Sequence, residues 1–422
     1  MDAAPRPDLL HRFTDRLSGA ERDVLAGVRT WAEAHVAPLY LVGGSVRDLL
    51  LGRQHLDLDF AVEGDTAALA RELAGAFAAR VTFHEQFGTA AAEGAGWSLD
   101  LVRTRAERYS APAALPLVEP AGIAEDLARR DFTAHAMALR LDGSGAGVLL
   151  DPYGGEADIQ RRAFRVLHAA SFRDDPTRIL RLARYVARLE FAIEPETLRL
   201  AQRDSVFIDA LSPARITHEL ERGFAEPLPE RVLAMLAELR ALRRIFPAES
   251  QTEAVAERFA RLRDGSGTVP AFADYLCALA ADWPRPGVQQ LCERLALRQD
   301  AIAALRDLPA ARRTLRELVE TGADAAQSVE ALARHQLPAI RGAGAGGGGS
   351  YAKLVRRYMS QWRDLRPRLN GDDVLALGVP PGPAVGGALR ALTAARLRGE
   401  VPDKAAECAL VRRWLEAAKT IE

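Results

Sequence analysis

Asp57 and Asp59 stand two residues apart in Leu56-Asp57-Leu58-Asp59-Phe60. In an extended strand alternate residues share a face, so both carboxylates are expected on one side and Leu56, Leu58 and Phe60 on the other. Held about 7 Å apart along a strand, two acids in a site poor in water repel each other. They do not both stay ionised unless a cation sits between them. Oxygen donors of this kind suit Mg²⁺, which keeps its remaining positions for water and substrate phosphates. A second feature lies just upstream, at Gly43-Gly44-Ser45. Without side chains at Gly43 and Gly44, the N–H groups there and at the start of the following helix can approach a phosphate chain closely. Alone, a Gly-Gly pair is a turn and an Asp-x-Asp a solvated strand edge. Together, separated by one short helix carrying Arg47 and Asp48, they imply nucleotidyl transfer.

Several elements must position these groups. Leu39-Tyr40-Leu41-Val42 is a run of apolar β-formers that Gly43-Gly44 ends. Ser45 is expected to cap a helix over Val46–Leu51 that Gly52 stops, and the strand Leu56–Phe60 follows. Upstream, Ser18 as cap, Glu21 in a capping-box position and apolar Val24, Leu25, Val28 and Trp31 predict a helix that covers the sheet. Downstream, Asp65 caps a predicted helix over Thr66–Ala79, and strands are expected at Val81–Phe83, Thr89–Ala92 and Trp97–Val102. Asp100 alternates with Leu99 and Leu101, so it either brings a third carboxylate to the metal face or pairs with an arginine. Residues 102–120, rich in Pro and Ala and without periodicity, read as a mobile loop. Asp151-Pro152-Tyr153-Gly154-Gly155 with Asp158 reads as a structural turn leaving the strand Val148–Leu150. After Phe164–Leu167 the pattern is helical throughout, with no further strand of comparable strength. Asp174, Asp175 and Pro176 make a strong helix start. Asp175, Arg178 and Arg181 then recur every three residues along one side, with Ile179, Leu180, Ala183 and Val186 on the other.

Length and composition set bounds. The 422 residues have room for two to four domains, and a formal net charge of −1 gives no global field that would draw in nucleic acid. The basic residues are nearly all Arg, with Lys only at 353, 404 and 419, a bias that GC-rich coding explains for the total. Cys277, Cys292 and Cys408 are far apart, which argues against a zinc site or a disulfide framework. No N-terminal run resembles a signal peptide and no stretch is long enough to span a bilayer, so a cytoplasmic protein without membrane contact is expected. Gly342–Ser350, GAGAGGGGS, reads by composition as a flexible linker, native or engineered, since its last five residues match a common artificial linker. Tyr351, Lys353, Arg356, Arg357, Arg363, Arg366 and Arg368 follow as a basic and aromatic cluster, either phosphate-binding or a solvated helix face.

Leu41–Gly64, with GG-x-V-R-D-x-L-L-G followed by D-x-D, resembles the signature of the bacterial-type (class II) tRNA nucleotidyltransferases and their relatives, the bacterial poly(A) polymerases. The resemblance covers Tyr40–Leu220 strongly and the tail more weakly. It extends to Arg105, Glu107 and Tyr109 in an R-x-E-x-Y loop motif that the family links to the switch from adding C to adding A. Further matches are Arg130-Asp131-Phe132-Thr133, Asp175 with Arg178 in an E-D-x-x-R motif, and Pro213–Leu220. Two departures are His135 where the family has Asn, and Asp174 where it has Glu.

The resemblance implies an α+β fold: a small nucleotidyltransferase head of mixed β-sheet and helices, followed by an all-α neck, body and tail. The expected bounds are a head at 1–160, a neck with the base template at 161–224, a body at 225–340, a Gly-rich linker at 341–350 and a tRNA-binding tail at 351–422. Asn370–Asp373 falls in that tail, with Asp372 and Asp373 read as helix-capping residues. The implied activity is addition of all or part of CCA to tRNA from CTP and ATP, with pyrophosphate released. A poly(A) polymerase and a catalytically silent RNA-binding protein are the alternatives. Two Mg²⁺ ions would be held by Asp57 and Asp59, the catalytic pair, with Asp100 a candidate third ligand. Nucleotide-binding residues would be Gly43, Gly44, Ser45, Arg47, Arg130 on the phosphates, Asp131 on the ribose, Asp175 and Arg178 on the base, and Arg181 on phosphate. A carboxylate accepts from the exocyclic amino group of C or A while an Arg donates to the ring nitrogen; U and G present a carbonyl where a donor is needed. The tRNA 3′ end and acceptor arm are the implied partners, and neither DNA nor membrane is.

Overall fold

A computed structural model of the chain describes residues 6–84, 88–246, 252–266 and 268–419. The strand β1 (Leu39–Val42) is buried along its whole length, as four consecutive apolar β-formers require. Around it assembles a seven-stranded sheet of β2 (Asp59–Val62), β3 (Arg80–His84), β4 (Thr89–Gly94), β5 (Trp97–Arg103), β8 (Ala138–Arg140) and β9 (Leu149–Leu150). The order is β3-β4-β5-β2-β1-β8-β9. β2 and β5 run parallel while the other pairs are antiparallel, so the sheet is mixed, as expected. The parallel register sets Asp59 opposite Asp100.

β2 starts at Asp59, three residues later than its apolar alternation suggests. β1 offers antiparallel partners to Phe60, Ala61 and Val62 through Leu41, Tyr40 and Leu39, and beyond them it bends at Gly43. Residues 56–58 therefore have only the β5 side, where the Leu58 carbonyl accepts from the Asp100 amide at 2.9 Å. The diglycine helix also starts two residues earlier than expected. It spans Gly44–Leu50, preceded by Gly43 at φ +68°, so Ser45 lies within its first turn and is not its cap. The outer helices follow their local signals. Ser18 and Glu21 complete a capping box on Gly19–Ala34, and Asp65 accepts from Ala67 and Ala68 to start Thr66–Phe77.

Three further expectations are corrected. Part of the segment read as a mobile loop forms an antiparallel hairpin, β6 (Arg105–Arg108) with β7 (Leu117–Pro120). The pattern after Phe164 is not helical throughout, since the two-residue β11 (Ala192–Ile193) pairs in parallel with β10 (Ala163–Phe164), although among the described residues no strand as strong as β1 recurs. The supposed linker is largely a buried helix, Leu337–Gly346, whose glycines permit close packing. A Cβ at Gly342 would lie 2.4 Å from that of Cys277, and one at Gly346 2.4 Å from that of Ala281. Composition alone cannot tell a tolerant backbone from one that another helix touches directly.

The chain divides into two units, Met1–Glu219 with Met235–Ile245, and Leu220–Ala234 with Phe246–Glu422. The first holds the sheet, the helices on it and the Thr177–Leu189 helix. The second is helical among its described residues. In its tail Asn370 caps Gly371–Ala376 and Asp373 closes the capping box, over a core of Leu369, Val374, Val379, Ala388, Leu392 and Val411. No helix of the described residues is long and apolar enough to cross a membrane.

Candidate active site

The acidic face and the diglycine bend meet at Asp59. Its Oδ2 accepts from the Ser45 hydroxyl at 3.1 Å, which fixes the carboxylate toward the helix that the two glycines open. Burial, then the neighbouring charges of Asp57 and Asp100, push the Asp59 carboxyl up to about 6 against the Ser45 hydrogen bond. Asp57 and Asp100 thus bear on Asp59 from the same face. Asp57, in the extended segment before β2, is exposed while Leu58 and Phe60 are buried, the alternation that the sequence suggested.

At the bend, Gly43 is required twice over. Its φ of +68° suits glycine, and a Cβ there would lie 2.8 Å from Nη1 of Arg130. The Arg130 guanidinium therefore lies directly against the turn, where a phosphate would approach. Asp126 holds it there, accepting from Nη2 at 2.8 Å, and also holds Arg129 at 2.8 Å. Asp126 is fully buried; burial alone would raise it, but Arg130 and Arg129 keep it below the usual carboxylate range. The sequence reading missed Asp126, although its spacing of three and four from two arginines on one helical turn was a usable signal.

Arg47, Asp131 and Arg181 join a second network. Arg47, 3% exposed, makes a two-pronged contact with Asp48 at 3.0 and 2.9 Å, and its Nη1 meets Nε2 of His135. His135 Nδ1 lies 2.8 Å from Asp131 Oδ1, which also accepts from the Phe132 amide at 2.8 Å. Asp131 Oδ2 accepts from Arg181 at 2.8 and 2.7 Å. Burial by itself would raise Asp131; Arg181 and His135 outweigh it and hold the carboxyl well below its ordinary value. These four contacts fill the lone pairs of the carboxylate, so nothing is left for a ribose hydroxyl while the network stands.

The Thr177–Leu189 helix follows a break at Asp175, whose extended backbone separates it from Ser171–Asp174. Asp174 thus ends the earlier turn, and Asp175 alone accepts from the Thr177 amide at 3.0 Å. The Arg178 amide donates to the Asp175 carbonyl at 3.1 Å, but their side chains turn to different partners. Arg178, 4% exposed, donates to the Ser171 hydroxyl and, at 2.6 Å, to the Arg129 carbonyl. Asp175 Oδ1 is held by Arg215 at 2.6 Å, and Arg215 also donates to the Ala113 carbonyl at 2.8 Å. Arg215 was not singled out by the sequence, because forty residues separate it from Asp175 and no local spacing marks the pair. Near the hairpin, Glu107 accepts from Arg105 and Tyr109, both at 2.9 Å, and from Arg129 at 3.0 Å, so the R-x-E-x-Y residues form one cluster.

Among the described residues no group of three or more His, Cys, Asp or Glu converges tightly enough to hold a metal ion as placed. The oxygen donors at Asp57 and Asp59, and a carboxyl that burial and then like charges make costly to ionise, nevertheless fit a hard divalent cation that takes few ligands from the protein.

Comparison with known proteins places this arrangement. The poly A polymerase head domain family matches residues 39–165, and the family described as the probable RNA and SrmB-binding site of polymerase A matches 190–251. An A-adding tRNA nucleotidyltransferase of Geobacter sulfurreducens is 32% identical over 90% of this chain, which spans only 46% of that protein's length. A CC-adding tRNA nucleotidyltransferase of Deinococcus radiodurans is 35% identical over 90% of both chains. The solved structure of a CCA-adding enzyme in its apo form II superposes with a TM-score of 0.79 at 27% identity, covering 97% of this chain and 99% of the other. With the diglycine bend, the acid pair and the helical neck all falling inside these matches, the chain belongs to the family of the tRNA nucleotidyltransferases and poly(A) polymerases.

Proposed function

We propose that this protein adds all or part of the 3′-terminal CCA to tRNA from CTP and ATP, without a nucleic-acid template, in the cytoplasm. The observation that carries the reading is the junction at Ser45: an acidic face of Asp57, Asp59 and Asp100 adjoins a glycine bend against which Arg130 lies. Asp57 and Asp59, with Asp100 as a third candidate, would hold two Mg²⁺ ions, which supply a lowered pKa for the terminal 3′-hydroxyl and charge neutralisation for the leaving pyrophosphate.

The chain's own residues do the rest. The Gly44 backbone N–H and the Arg130 guanidinium bind the triphosphate, while the Gly43 N–H is donated to the Met137 carbonyl at 3.4 Å. Asp131 aligns Arg181 and His135 instead of meeting the ribose directly. Asp175, its Oδ1 taken by Thr177 and Arg215, offers Oδ2 to the exocyclic amino group of C or A, and Arg178 supplies the donor beside it. The intact Arg105–Glu107–Tyr109 cluster supports A addition as part of the activity.

The test is incubation with tRNAs lacking CCA, CA or the last A, each with CTP, ATP or both, in Mg²⁺. Growth that stops after one to three nucleotides is expected. A long A tract would assign a poly(A) polymerase, and no pyrophosphate release would leave only RNA binding.

A further inference from the structure

His135 is buried, 5% exposed, in a box formed by the rings of Phe132, Phe164 and Tyr185, with Tyr185 edge-on at 4.5 Å between centroids. Its two nitrogens have partners of opposite kind. Nδ1 faces the Asp131 carboxylate, which only accepts, so Nδ1 carries the proton. Nε2 faces the Arg47 guanidinium, which only donates, so Nε2 is bare. The ring is therefore the neutral Nδ1–H tautomer, in keeping with burial that pulls it down to about 4.

Each partner leads to a different wall of the site. Arg47 stands on the Gly44–Leu50 helix, with Nη2 3.5 Å from where a Cβ would sit on Gly44. Asp131 grips Arg181 on the Thr177–Leu189 helix, which also carries Arg178. We propose that His135 is a positioning residue: through one donated and one accepted hydrogen bond it ties the phosphate-side helix to the base-side helix and sets the span that a nucleoside triphosphate must fill. The proposal rests on the nucleotidyl-transfer reading above. Among the hydrogen bonds of the described residues His135 is the group that joins Arg47 to Asp131; the Tyr185 ring, 5.8 Å from Arg47 Cζ and 5.5 Å from Arg181 Cζ, packs beside it without replacing either bond.

The two bonds can be cut separately. In His135→Asn the amide reaches the place of Nδ1 and keeps the bond to Asp131 but falls short of Arg47. In His135→Gln the longer side chain reaches the place of Nε2 and accepts from Arg47 but leaves Asp131 without its donor. His135→Ala loses both. Steady-state incorporation into tRNA is measured for each, with separate KM values for nucleotide and tRNA, alongside thermal unfolding. The expected result is a nucleotide KM raised about tenfold in His135→Ala, the equivalent of about 1.4 kcal/mol. Asn and Gln should fall in between, and the tRNA KM should stay unchanged. Should the Ala variant fail to fold, at least one of the Asn and Gln variants must raise the nucleotide KM. Unchanged nucleotide KM in all folded variants overturns the proposal, as does a loss of stability that leaves it untouched. An inactive parent protein overturns the underlying reading and this proposal with it.

Discussion

At Asp59 burial and the charges of Asp57 and Asp100 push a carboxyl up to about 6, whereas at Asp131 Arg181 and His135 overcome burial and hold a carboxyl well down. The two acids share one unit and one site and differ in what was built around them. Asp131 is a completed strut, with every lone pair engaged. Among the described residues the Asp59 carboxylate keeps the hydrogen bond from Ser45, with Asp57 and Asp100 as like charges that the weaker pull of Arg130 does not offset. A carboxylate made costly to ionise is one that gains most from a cation, so Asp59 fits the proposed ion, while Asp131 fixes Arg181 and His135 in place.

The largest effect should separate the two by activity. Asp57→Ala or Asp59→Ala is expected to lower nucleotide incorporation by at least about 10²-fold while tRNA binding survives. Unaltered turnover in either would reject the metal assignment. Stability should separate them by sign. Asp131→Asn leaves Arg181 and His135 facing a neutral amide and should cost about 3 kcal/mol, and Arg181→Ala should add less than its own cost on top. Asp59→Asn removes a buried charge and its repulsion by Asp57 and Asp100, and should stabilise by on the order of 2 kcal/mol. Denaturant unfolding of the full chain checks both, and a destabilised Asp59→Asn would contradict the repulsion.

pH should separate them by window. Because Asp59 is raised from 3.8 to about 6, its ionisation opposes folding fully above pH 6, and the advantage of Asp59→Asn should shrink from there and vanish below 3.8. Because Asp131 is lowered, its contribution is fully present above 3.8 and is lost only as pH falls further toward its folded value. Melting temperatures of the two variants against the parent across pH 3–8 should therefore diverge in opposite directions and close over different ranges; parallel curves would erase the distinction. The smallest effect is a rise in melting temperature of about a few degrees on adding Mg²⁺, reversed by chelation, in the parent and absent in Asp59→Asn. An equal rise in both would place the ion elsewhere.

Much of the site was legible in advance for a local reason. Strand alternation, a diglycine bend and capping boxes all act within a few residues, and Asp57, Asp59, Ser18 and Asp65 stand where such rules put them, whereas Arg130 was marked only by the family resemblance. The chain by itself determined the acid pair, the bend, the core strands and the family resemblance. Tertiary structure alone decided that β2 begins at Asp59, that Asp131 is saturated by Arg181 fifty residues away, that Arg215 steadies Asp175, and that a glycine run is a packed helix. Pairing partners, burial and close approach depend on which distant segments meet, and residue types read along a chain do not contain that distance.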